Sequence, residues 1–283
     1  SANWEFSAIV VPPGVDLVGA GKDSTKIVQT LDWKRPNGNN MYSVFTLMGN
    51  NKVQGIYFHS DGFALNSFGG ISLALGKPYP SPDDPKVIEN VVIADNTFSG
   101  LNDGKVTGMY NAVGDWGSPL RHIFIVNNQF QAYNHPLALQ GLSGNKEIRR
   151  YFQNSVIAKN TFYPGDYTIY YNPGGAGTIA LETHGFQYSD FSDNFIDGSV
   201  QGGWRAGLFW SLHTNNGPML VSGNKATCTG NKVGDGESIV VDDNGNIPGF
   251  TWPEKAVAAT ENSDTVNGEW AKTAWDSYNN AWK

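Results

Sequence analysis

A short pattern of apolar and polar positions returns along the chain: an apolar residue, two variable residues, Asn, one residue, then a second apolar residue. It runs Ile93 to Phe98 around Asn96, Ile125 to Phe130 around Asn128, and Ile157 to Phe162 around Asn160. Further copies run Phe191 to Ile196 around Asn194, Val221 to Ala226 around Asn224, and Cys228 to Val233 around Asn231. A degenerate copy, Phe58 to Phe63, places Asp61 in the Asn slot. The first four asparagines are 32, 32 and 34 residues apart. A fixed period of this length means stacked units, none of which can bury its apolar face alone.

A second set of short alternating segments follows the Asn motifs. These are Ile71–Ala74, Met109–Ala112, Leu137–Gln140, Ile179–Glu182, Leu208–Ser211 and Ile239–Asp242. Period-two alternation sends the first and third residues of each inward and the second and fourth outward. Together the two sets predict an all-β, right-handed parallel β-helix of about seven turns, with Ile, Val and Phe stacked in columns inside. The recurring Asn is expected at the bend between two strands, in the left-handed conformation, with its amide bonded to the Asn above and below. The coil is expected over residues 1–250. Residues 251–283 are expected to cross back and cap the open end through an amphipathic helix bearing Trp270, Trp275, Tyr278 and Trp282.

Composition agrees with that reading. Gly is abundant (34 residues), only 16% of residues are charged and 13% are aromatic, a turn-rich β balance and not a helical one. The net charge of −7 gives no electrostatic support to nucleic-acid or anionic-membrane binding. No apolar run reaches the roughly 18 residues of a membrane span. The single cysteine, Cys228, excludes an internal disulfide and reads as a core residue. Ser1-Ala2 reads as a processed or expression-derived start. A coil met partway at Trp4 suggests a piece of a longer protein, or one chain of a trimer.

The stretch from Ile9 through Pro12-Pro13-Gly14 and Val18-Gly19-Ala20-Gly21-Lys22 to Ile27, with the Val/Ile-x-x-Asn-x-Phe turns, resembles the pectin-lyase-like superfamily of right-handed β-helices. The resemblance spans roughly residues 8 to 245. It implies a polysaccharide or oligosaccharide ligand and a secreted or cell-surface location. It names no reaction: the Asn-Thr-Asp with Gly-His-Gly of polygalacturonases is missing, as is the Arg-x-Pro-x-x-Arg of pectate lyases. The superfamily also includes phage tailspikes, so a non-catalytic cell-wall, cellulose or receptor binder is the alternative.

Stacking the alternating segments gives two outward columns. The fourth positions are Ala74, Ala112, Gln140, Glu182, Ser211 and Asp242, and two residues further on lie Gly76, Gly114, Leu142, His184, His213 and Asn244. Both change from small to polar over the last turns, with Asp243 adjacent. Glu182 and Asp242, two turns apart, would have backbones roughly 9.5 Å apart. Carboxyls about 6.5 to 9.5 Å apart suit an inverting glycosidase, one acting as acid and the other as base. The competing chemistry is β-elimination from a uronate, with His184 or His213 as base and Arg205 or a cation neutralising the carboxylate. No cofactor is required; Ca²⁺ held by Glu182, Asp242 and Asp243 is the option for a lyase. Gln140, Ser211, Asp243 and Asn244 are candidate sugar contacts. Tyr110, Phe209 and Trp204 are candidate stacking rings, as are Trp116, Tyr133, Tyr167, Tyr170 and Tyr171 in loops. Trp210 falls at an inward position. His59, His122 and His135 read as structural or exposed, and Asp103 with Asp115 as a weaker acid/base pair.

Overall fold

The computed structural model describes residues 7–30, 43–61, 70–76, 86–107, 111–115, 118–133, 135–139, 152–163, 181–183, 186–187, 189–197, 209–211, 219–222, 225–226 and 237–238. Every regular element among them is a strand. The chain visits three sheets in a repeating order and forms a parallel β-helix. Sheet A stacks Ser7–Val11, Ser43–Leu47, Ile71–Leu75, Asn111–Asp115, Leu137–Leu139, Leu181–Thr183 and Phe209–Ser211, closed by an antiparallel Glu237–Ser238. Sheet B stacks Leu17–Val18, Asn51–Gln54, Ile88–Ala94, Leu120–Val126, Val156–Ala158, Ser189–Ser192 and Met219–Ser222. Sheet C stacks Lys26–Thr30, Tyr57–Asp61, Thr97–Ser99, Gln129–Gln131, Thr161–Tyr163, Phe195–Ile196 and Lys225–Ala226.

The Asn motif is the corner from sheet B to sheet C. Nδ2 of Asn96, Asn128 and Asn160 each donates to Oδ1 of the next Asn at 3.1 Å. Each also donates to a carbonyl of the turn below, on Val53, Ile93 and Ile125. Each Oδ1 in turn accepts the backbone N–H of the preceding turn's ladder residue, at 2.9–3.0 Å. The amides are thus fully used in a site closed to water, where an unpaired group is expensive. The left-handed residue is not the ladder Asn, as expected from sequence, but the one before it. Asp95, Asn127, Lys159 and Asp193 have φ of 54–58°. The sharp bend is made one residue early, and the ladder Asn is left free to point inward. Asn224 and Asn231 lie outside the described residues.

Inside, Phe58, Phe98, Phe130 and Phe162 stack face to face at 4.7, 5.2 and 5.1 Å between ring centres. This column realigns the degenerate copy: Phe58 pairs with Phe98, so Ile56, and not Asp61, occupies the Asn slot. At the same corner Gly19 lies against the turn above, where a Cβ would sit 2.3 Å from the Gly55 carbonyl oxygen. No helix among the described residues is long and apolar enough to cross a membrane. Cys228 and the cap expected over 251–283 lie outside the described residues.

Candidate functional site

Of the expected site residues, Glu182, Phe209 and Ser211 lie on sheet A, and its register differs from the one read off the alternation. Leu181 pairs with Leu137 and with Phe209, Glu182 with Ala138 and Trp210, and Thr183 with Leu139 and Ser211. Glu182 therefore does not stack on Ser211, nor its column on Gln140. Further down, Asn111 pairs with Ile71 and Gly114 with Ala74, two residues away from the expected match of Ala112 with Ala74. The column containing Glu182 runs Thr46, Ala74, Gly114, Ala138, Glu182, Trp210. Position 209 falls in the column of the core residue Leu181, and position 210 in the column of Glu182, the reverse of the inward and outward assignment made from sequence.

The reason is visible in sheet A itself. Ile71–Leu75 and Leu137–Leu139 are buried at every position, so apolar alternation there carries no register. A slip of one residue exchanges the faces, and nothing in a strand buried on both faces forbids it. Tyr110, Gln140, His184, Trp204, Arg205, His213, Asp242, Asp243 and Asn244 lie outside the described residues.

Other expected residues are placed. Tyr133 is not a loop ring open to sugar: it is fully buried, its hydroxyl 2.9 Å from Ser72 Oγ, which itself donates to Gln29 Oε1 at 3.0 Å. Burial pushes that phenol far above its ordinary range. His135 is buried, and its carbonyl accepts from Asn111 Nδ2 at 2.7 Å. Asp103 sits at the exposed tip of a hairpin, Leu101–Asn102 with Lys105–Val106, while Asp115 ends a sheet A strand. Among the described residues no group of three or more His, Cys, Asp or Glu side chains could hold a metal ion.

Two polar features escaped the sequence reading. The first is a kink in sheet B, where Asn90, His122 and Asn154 share one position and take φ of 50–57°. Beside it Arg121 Nε donates to Glu89 at 3.0 Å. His122 is held below its ordinary value of 6.5, chiefly by burial, then by Arg121, with Glu89 opposing. The second is the outer face of sheet C. Tyr57, Thr97, Gln129, Thr161 and Phe195 occupy one column in adjacent strands, with Gln131 and Tyr163 paired beside it. All seven are half-buried. Thr97–Ser99, Gln129–Gln131 and Thr161–Tyr163 each alternate polar, Phe, polar, and the outward half of that alternation is written in the Asn-x-Phe motif.

Comparison of the chain with family models, with curated proteins and with solved structures finds no match.

Proposed function

We propose that this protein acts on a polysaccharide along the outer flank of its coil, with Glu182 as the carboxyl that moves a proton. One observation carries this reading: Glu182 and Trp210 are register partners in adjacent strands, in a column whose earlier members Ala74, Gly114 and Ala138 are small. An indole stacks on the apolar face of a pyranose, and a carboxyl one strand spacing away, about 4.8 Å, can reach a glycosidic oxygen. For hydrolysis Asp242 would supply the second carboxyl; for elimination His184 or His213 would be the base, with Arg205 or Ca²⁺ facing the uronate. The resemblance to pectin-lyase-like coils and the secreted or surface location it implies belong to the same proposal. The test is incubation with a polysaccharide panel, reading reducing ends for hydrolysis and ultraviolet absorbance of an unsaturated uronide for elimination. Glu182→Gln is expected to lower turnover about 10²–10⁴-fold. Turnover equal to that of the unaltered protein would remove Glu182 from the chemistry.

A second reading, binding without turnover, is favoured by the outer face of sheet C. Its half-buried rings, hydroxyls and amides suit contact with sugar and include no carboxylate from Thr97 to Tyr163. A panel on which substrate is retained but never cleaved selects this reading.

A further inference from the structure

From the outer face of sheet C we infer a binding platform for a neutral polysaccharide laid along the coil axis. The inference rests on the polysaccharide reading above, and adds to it the surface and the charge class of the ligand. Alternation directs Phe98, Phe130 and Phe162 inward, where all three are 0% exposed, and turns Thr97, Gln129, Gln131, Thr161 and Tyr163 outward. Hydroxyls and primary amides both donate and accept, which matches the mixed donor and acceptor character of sugar hydroxyls.

Rings flank the polar stretch of the column, and Lys26 and Lys225 hold the register positions beyond them. Tyr57 lies four strand steps from Phe195, roughly 19 Å along the axis. The Tyr57 ring packs against His59 at 5.7 Å between centres, and Lys26 Nζ lies 5.5 Å from its centroid. Between the ends the same kinds of group recur at a constant spacing. A polymer of repeating sugar units meets like surroundings at each step, whereas a folded protein partner would have to desolvate a row of amides and hydroxyls with no apolar patch in return.

Charge selects the class. The chain carries a net −7, yet between Thr97 and Tyr163 this face bears neither carboxylate nor cation. The cations of the column, Lys26 and Lys225, stand at its two ends, so a polyanionic glycan would find no counter-charge between Thr97 and Tyr163. The outside of sheet B is closed: Val92, Ala94, Phe124, Val126, Val156 and Ala158 are 0–4% exposed.

The experiment is affinity electrophoresis and pull-down of the full chain with neutral polysaccharides (cellulose, xyloglucan, β-glucan) and anionic ones (polygalacturonate, alginate). It is repeated for Gln129→Ala/Gln131→Ala and for Tyr163→Ala. At least one neutral polysaccharide is expected to retain the protein, and each variant to weaken retention about tenfold or more, with unchanged melting. Neutral glycan held equally by unaltered protein and both variants overturns the platform and leaves the polysaccharide reading standing. Retention by anionic polysaccharides alone overturns the charge class. Retention by none overturns the platform and the function reading together.

Discussion

The outer faces of sheets B and C are built on the same turns, one corner apart, and have opposite fates. On sheet B the third to fifth strands read Val91-Val-Ile-Ala94, Ile123-Phe-Ile-Val126 and Val156-Ile-Ala158, apolar at every position and buried on both sides. On sheet C the same turns read Thr-Phe-Ser, Gln-Phe-Gln and Thr-Phe-Tyr, where the Phe is buried and most of its neighbours are half open. A parallel strand with both faces covered is a continuous apolar run; one with a wetted face alternates. The outward half of an alternating strand is therefore where a coil of this kind keeps a long accessible surface, and the unbroken runs mark the flanks it has closed.

The sharpest way to break that contrast is to remove a ring from each layer. Phe130→Ala, from the inner stack, and Phe124→Ala, from the outer face of sheet B, are each expected to cost about 3–5 kcal/mol in denaturant unfolding, because both rings are almost wholly buried. A small loss at Phe124 alone would show that the outside of sheet B is open after all. Asn128→Ala comes next. It strands the Asn96 N–H and takes one partner each from the Asn96 amide and the Ile93 carbonyl, so a loss of about 2–3 kcal/mol is expected. Asn127→Gly, at the exposed left-handed position one residue earlier, should change stability by less than about 0.5 kcal/mol. If the two positions respond alike, the division of labour at the corner is wrong.

A smaller effect concerns pH. The His122 imidazole is held low in the folded state, so the fold favours the neutral ring. Its contribution is fully present above 6.5 and is lost as pH falls through that value toward the lowered folded one. His122→Asn places there the residue found at the equivalent positions 90 and 154, which share the left-handed backbone. The fall in melting temperature between about pH 8 and pH 5 should be shallower in this variant than in the parent. An identical fall in both would assign the pH dependence to other groups.

How much of this was legible in the sequence differs from corner to sheet. The Asn ladder and the Phe stack were plain, because a polar residue that must be buried and an aromatic that must stack leave a fixed offset in every turn. The register of sheet A was not. Strands such as Ile71–Leu75 are buried at every position, Ser72 included, so the alternation that should separate inside from outside is silent in sheet A. Glu182 stands in a column of small residues, but its register partner is Trp210 and not Ser211. Tyr133 is ambiguous in the sequence for a related reason. A tyrosine in a loop is as often anchored by its hydroxyl as displayed, and only the buried Ser72 and Gln29 decide between the two.

The claim that the outer face of sheet C is open and takes a glycan is tested most directly by thiol labelling. In a Cys228→Ser background, Gln129→Cys and Val126→Cys place one thiol on each of the two outer faces, three residues apart in the same turn. Reaction with a neutral maleimide is timed with and without a neutral polysaccharide that the protein retains. Position 129 is expected to react rapidly and to be slowed by the polysaccharide, and position 126 only as fast as the fold opens. Similar rates at the two positions, or a bound polysaccharide that leaves position 129 as reactive as before, would contradict the account.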